Sequence, residues 1–185
     1  MARAAVSREV TAIRIRKMIL DDREFVLGGW LDSYRGSRDI VLCPMRLYAQ
    51  TYRPWISSIL GMASTLVAHG ESGVLFGFIV YDSTTYVASF GGRKITLYGH
   101  VCYVYVDEPF RSRWGIARKL FEAAGIDPAS RFGYACRTRS SWLLRSKIPL
   151  AEYEPYRTRH EEVTNGSQAT ATESDPHPRH EDLAP

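Results

Sequence analysis

The clearest order in the chain lies in the spacing of its apolar residues. Val10–Arg16 alternates apolar and polar positions, as a half-buried strand does. Asp21, Asp22 and Glu24 then open a stretch containing Phe25, Val26, Trp30 and Leu31, and acids placed there suit a helix N-terminus. Gly36, Ser37 and Asp39 mark a break. A second helix is predicted over Met45–Gly61 from Leu47, Tyr48, Trp55, Ile56, Ile59 and Leu60, with Pro54 arguing for a kink or a restart.

Three strands are predicted next, over Ser64–His69, Val74–Tyr81 and Thr96–Val106. Gly70–Gly73 joins the first two as a hairpin, and Ser89–Lys94 falls in a longer connection between the second and third. A turn rich in arginine follows at 111–115. Ile116–Ala124 reads as a helix ended by Gly125, and Phe132–Cys136 as a short strand. Ser140–Ser146 suits a short helix with a serine cap, and Pro149–Tyr156 a last extended piece. The order β-α-α-β-β-β-α-β-α-β predicts one α/β (α+β) domain over residues 1–159, with a mixed sheet of about six to seven strands flanked by helices. Residues 160–185 are polar, with almost nothing to bury, and are expected to form a disordered acidic tail. Its histidines, His160, His177 and His180, have no cysteine or packed carboxylate beside them that would suggest a metal site.

Composition changes this picture little, and charge changes it more. The 185 residues are 45% hydrophobic and 24% charged, as in ordinary globular proteins. No apolar run approaches the roughly 20 residues of a membrane-spanning helix, and the N-terminus has no signal-peptide core. Three widely spaced cysteines, Cys43, Cys102 and Cys136, form neither a disulfide framework nor a zinc pattern, so a cytoplasmic setting is expected. Cys102 and Cys136, on apolar strands, are expected to be buried packing residues. The net charge is +4; the segment from His160 onward carries −5, which leaves +9 on the rest. A basic body suits a phosphorylated cofactor or a nucleic acid.

The stretch with most chemical content is Tyr103–Gly125. A β-rich run meets a turn holding Arg111, Arg113 and Arg118, and a helix starts inside that turn. The N–H groups and dipole of a helix start attract phosphate oxygens. Gly115 and Ala117 leave the backbone open to close approach, and arginines add charge-assisted contacts.

The run Val104-Tyr105-Val106-Asp107-Glu108-Pro109-Phe110-Arg111, followed by Gly115-Ile116-Ala117-Arg118-Lys119-Leu120, resembles the coenzyme A-binding motif of the GNAT superfamily of N-acyltransferases. That motif is Gln or Arg, two residues, Gly, one residue, then Gly or Ala. Gly115 and Ala117 match its last two anchors. Ser112 lies at the Gln/Arg position, with Arg111 one residue earlier, as though the turn held one extra residue. The resemblance implies a GNAT-like fold and transfer of an acetyl or other acyl group from acyl-CoA to an amine acceptor. It implies a pantetheine site at Val104, Tyr105 and Val106, and a pyrophosphate site at Arg111, Ser112, Arg113, Trp114, Gly115, Ile116, Ala117 and Arg118. The general base implied is His100, about eleven residues before the anchor, with Tyr153 or Tyr156 as the acid. Absent a bulge, His100 shares a strand face with Cys102, Val104 and Val106. Asp107 and Glu108 are further candidates for the base, or caps of the turn. The Trp30–Arg35 segment and a Pro155-Tyr156 pair are similar to small GNAT-like proteins of bacteriophages.

In such a fold the acceptor pocket draws on Trp30, Tyr34, Arg35, Tyr48, Tyr52 and Arg53, which an amphipathic helix pair explains equally without a ligand. Tyr98, Tyr103 and Tyr105 are expected to pack on the sheet. Two other readings stand beside acyl transfer. One is a catalytically inactive binding module, favoured by Ser112 and Trp114; the other is a DNA-directed acyltransferase-like modification protein, suggested by the basic body.

Overall fold

The computed structural model describes residues 12–36, 44–111, 115–136 and 148–155. Six strands form one mixed sheet in chain order: β1 (Arg14–Lys17), β2 (Ser64–His69), β3 (Leu75–Phe90), β4 (Arg93–Val106), β5 (Gly133–Tyr134) and β6 (Glu152–Tyr153). The first four pair antiparallel, and β4 to β5 and β5 to β6 pair parallel. Helices α1 (Arg23–Arg35) and α2 (Met45–Met62) precede β2, and α3 (Ile116–Ala124) joins β4 to β5 as a parallel crossover requires. This is the α/β class expected from the sequence, at six strands.

Both faces of the sheet are covered, so its central strands are apolar on both sides. Val67, Phe78 and Val80 pack with α1 and α2 through Val26, Trp30, Ile56 and Ile59. Their neighbours Leu66, Ala68 and Ile79 pack on the other face with Ile116, Leu120 and Ala124 of α3. Deleting a side chain as large as Trp30, which is fully buried, costs about 3–5 kcal/mol at such sites.

Two expectations are corrected. The segment read as a long connection after Tyr81 is strand: β3 and β4 continue past the sheet as a two-stranded ribbon whose last pair is Phe90 with Arg93. Gly91 and Gly92, at φ 55° and 81°, make the two-residue turn, which needs left-handed backbone at both positions. Along the ribbon Ala88 and Leu97 are buried while Val87 and Tyr98 are 62% and 55% exposed, so Tyr98 does not pack on the sheet as expected. At Pro54, where a kink or a restart was expected, α2 runs through as one helix without a restart. The start of the first predicted strand, the predicted helix over Ser140–Ser146 and the tail lie outside the described residues.

The turn entering α1 is held by one buried carboxylate. Asp22 accepts from both Nη atoms of Arg16, at 2.5 and 2.9 Å, and from the Ile19 N–H at 2.8 Å. Its side chain is 5% exposed against 33% for Arg16. The Arg16 hydrogen bond holds the carboxyl below its ordinary range, against the opposing pull of desolvation. A carboxylate depressed in this way stabilises the fold above the unfolded value of about 3.9 and loses that contribution as pH falls toward the folded value. Asp22→Asn should therefore lower stability by about 2–3 kcal/mol at pH 7 and by less at pH 3, below the unfolded value, where the wild type has begun to lose the same term. Urea denaturation at both pH values tests this, and an equal loss at both would show that the pair's charge is not what matters.

Candidate functional site

Strand β4 is the element that positions the candidate residues, and its register is broken twice. Val80 pairs with Tyr103 but Tyr81 pairs with Val101, so Cys102 is an extra residue on β4. A second shift lies between Asp82, opposite His100, and Thr85, opposite Tyr98. His100 therefore sits between two irregularities. The break at Cys102 corrects the face counting: Val101, Val104 and Val106 pack toward α3, while Cys102, Tyr103 and Tyr105 pack toward α1 and α2. By alternation with Val101, His100 is on the α1 and α2 side, opposite Val104 and Val106.

Beyond the break β4 and β5 separate. β5 pairs with β4 at His100 and Val101, with one further bond from the Ala135 N–H to the Val101 carbonyl at 3.0 Å. Among the described residues β5 has no pairing with β4 past that point, whereas β3 follows β4 to Val106. The Asp107 N–H donates to Phe76 on the β3 side at 2.8 Å. Backbone direction alternates along a strand, so the N–H and C=O groups of Val104 and Val106 turn to the opposite, diverging side. There the Val106 carbonyl accepts from Arg111 Nε at 2.8 Å.

The end of β4 is fastened by short polar contacts. Tyr105 donates through its hydroxyl to Asp107 Oδ1 at 3.0 Å, and the same oxygen caps the following 3-10 turn through the Glu108 N–H at 2.9 Å. Asp107 thus acts as the cap foreseen for it. Burial is the main cause that pushes the Tyr105 phenol up to about 12. The Arg111 guanidinium lies 5.8 Å above the Tyr105 ring.

Helix α3 starts at Gly115, whose φ of 61° and ψ of 25° are left-handed. A Cβ at Gly115 would meet nothing within 4 Å among the described residues. Helix geometry leaves the N–H groups of Ile116, Ala117 and Arg118 without an acceptor inside the helix. Ile116 anchors this first turn, its side chain 2% exposed in the core. Arg118 is exposed and pairs with Glu122 at 2.8 Å. Open space over a glycine, oriented amides and two nearby arginines fit a pyrophosphate. Ser112, Arg113 and Trp114 lie outside the described residues, as does Tyr156.

His100 is 1% exposed and its Nδ1 lies 3.1 Å from the Tyr86 hydroxyl. That hydroxyl donates to Glu154 Oε2 at 2.5 Å, and Glu154 is itself 3.8 Å from His100 Nδ1. Tyr153, the other expected partner in catalysis, has its ring 5.4 Å from that of Tyr134, its neighbour across β5. Tyr86 and Glu154 are polar neighbours of His100 that sequence reasoning missed. Tyr86 lies in the ribbon mistaken for a connection, and Glu154 reaches the site through parallel pairing that leaves no local pattern.

The aromatic residues of α1 and α2 form a packed cluster. Trp30 stacks on Tyr103 with centroids 4.6 Å apart; Trp55 meets Trp30 and Tyr34 meets Tyr103 edge-on, and Tyr52 packs edge-on against Tyr34 and Trp55. Tyr48 is buried and donates to the Leu31 carbonyl at 2.8 Å. Trp30 and Tyr48 are thus core residues, and Arg53 is held by Glu24 at 2.9 Å on the surface. Ser33 Oγ and the Tyr103 hydroxyl lie 2.8 Å apart, and burial raises the Tyr103 phenol above its ordinary value. Cys102 and Cys136 are both buried, and desolvation pushes the Cys136 thiol far up, so neither is a ready nucleophile.

No family profile and no curated protein matches the chain. Among solved structures it is similar to a putative acetyl transferase from Pyrococcus furiosus, at 16% identity and TM-score 0.49, over 90% of this chain and 99% of that one. It is also similar to a fungal multi-domain GH3 β-N-acetylglucosaminidase with a GCN5-related glucosamine N-acetyltransferase region, at 20% identity and TM-score 0.40. That match covers 61% of this chain and 12% of the fungal one, so the chain spans only a small part of that protein's length. An aminoglycoside N-acetyltransferase in complex with CoA is similar at 17% identity and TM-score 0.40, over 91% and 95% of the two chains. Among the described residues no helix is long and apolar enough to cross a membrane.

The backbone at Gly115 gives a direct test. Replacement by Ala meets no clash among the described residues, and the left-handed φ should cost about 1–2 kcal/mol. Gly115→Asn should cost less than Gly115→Ala, and thermal melts that rank the two the other way would deny that this backbone is left-handed.

Proposed function

We propose that the chain is an acyl-CoA-dependent N-acyltransferase of the GNAT type, transferring an acetyl group to an amine acceptor. The observation that carries this reading is the separation of β4 from β5 beside a helix start that is open at Gly115. Val104 and Val106 offer outward backbone groups to an amide-containing arm, as a further strand would use them. The N–H groups of Ile116, Ala117 and Arg118 would hold the pyrophosphate, with Arg111 and Arg118 adding charge. Ser112, Arg113 and Trp114 belong to the same turn in this reading, and acetyl-CoA is the cofactor proposed.

Bound acetyl-CoA supplies the acyl group as a thioester, already activated toward an amine. The protein's own tasks are to remove a proton from the amine and return one to the departing thiol. His100 is the proposed base, at the point where the strands part. Tyr153 or Tyr156 is the proposed acid.

Calorimetric titration with acetyl-CoA tests the cofactor site. Micromolar binding is expected in the wild type, and Ala117→Glu should abolish it without loss of fold, because an acid in a helix's first turn is stabilising by about 0.3–1 kcal/mol yet repels pyrophosphate. Absence of binding up to millimolar concentrations would favour the inactive binding-module reading instead. Where turnover is found, His100→Gln should lower kcat by about 100-fold or more with little change in the acetyl-CoA affinity. Unchanged turnover would remove His100 from the mechanism.

A further inference from the structure

We propose that Arg111 sets the choice of acyl carrier: it holds the Val106 carbonyl at the open strand edge until a phosphate draws it away, and so favours pyrophosphate-bearing thioesters over phosphate-free ones. The proposal rests on the acyl-transfer reading for the identity of the ligand. The Asp107 N–H donates to Phe76 on the β3 side at 2.8 Å, so by alternation the Val106 carbonyl turns to the other side. That outward side is where an amide-containing arm would pair. Arg111 Nε donates to this same carbonyl at 2.8 Å. One of the backbone groups the arm would use is therefore already engaged by a side chain of the same chain.

Local structure brings the arginine back over the end of its own strand. The 3-10 turn Glu108–Phe110 reverses the chain, and the Arg111 N–H closes it on the Glu108 carbonyl at 3.2 Å. The guanidinium carbon then stands 5.8 Å from the centre of the Tyr105 ring, within the range of a cation–π contact. Tyr105 is itself fixed by its hydroxyl on Asp107 Oδ1, the oxygen that caps the same turn. A carbonyl and an aromatic ring are both uncharged, so the guanidinium keeps its full charge to offer an anion. A phosphate oxygen is the stronger partner, because both members of that pair are ionised. Arg111 is also exposed, so changing partner requires no opening of the core.

This exchange links the two ends of one ligand. A pyrophosphate at the start of α3 takes the guanidinium, and the freed Val106 carbonyl accepts from an amide of the attached arm. A thioester without phosphates has nothing to offer Arg111 and must compete with its Nε–H for the same oxygen. A carbonyl has two lone pairs, so the competition weakens such a ligand without excluding it. Arg111 thus acts on selectivity between acyl carriers, and no covalent bond changes in the exchange.

NMR titration of the full 15N-labelled chain, which reads weak affinities, tests this with acetyl-CoA and with S-acetylpantetheine, the same thioester arm without the phosphates. Arg111→Ala should bind S-acetylpantetheine about 5-fold or more tighter than wild type, because a charged donor no longer competes for the carbonyl. The same variant should bind acetyl-CoA about 3-fold or more weaker, having lost a phosphate contact. Arg111→Met, which keeps an apolar stem for the Tyr105 ring, should repeat both shifts, since donor and charge are what the role requires. The dispersion of amide signals in the same spectra reports that each variant is folded. If the wild type binds acetyl-CoA but neither variant gains affinity for S-acetylpantetheine, the selectivity role is overturned and the cofactor site stands. A wild type that does not bind acetyl-CoA would overturn the acyl-transfer reading, and this role with it.

Discussion

The single extra residue at Cys102 governs how the rest of the site is disposed. Without it, strict alternation would carry His100 to the same face as Val104 and Val106. With it, the tyrosines of β4 meet the aromatic residues of α1 and α2, and the valines meet α3. The same break marks where β5 stops following β4. One inserted residue thus sorts side chains between faces and opens a strand edge at the same point, which is a common use of bulges beside functional sites.

Much of this fold was legible because its elements obey local rules. β2 and α3 have the bounds expected from sequence, α3 because Gly115 and Gly125 frame it with left-handed backbone at both ends. The ribbon was not legible for an equally local reason. Asp82, Ser83, Thr84 and Thr85 are polar, and Gly91-Gly92 reads as loop until Tyr86, Ala88 and Phe90 are seen to alternate toward one side. The motif at 111–118 indicated where a phosphate could dock, but the outward backbone of Val104 and Val106 follows from pairing, which composition does not record. Glu154 was beyond reach for the same reason, since its position depends on β6 lying parallel to β5.

The aromatic cluster has a second role in shaping the candidate site. Trp30 and Tyr103 stack face to face, and the Tyr103 hydroxyl meets Ser33. Such contacts place the two helices firmly against β4, so the surface beside His100 rests on packed rings. A site supported in this way changes shape only if the core does.

The contacts of Tyr86 with His100 and Glu154 join parts of the chain at very different sequence distances. Tyr86 and His100 are 14 residues apart across one tight hairpin, whereas Tyr86 and Glu154 are separated by 68. Hairpins close in about 1–10 μs, while contacts of long sequence separation wait for the intervening chain to be ordered. The tyrosine and histidine can thus come together early in folding, in a ribbon whose partners are already adjacent. The glutamate arrives when the C-terminal segment docks on β5, so both contacts exist together only in a chain that has finished assembling its sheet.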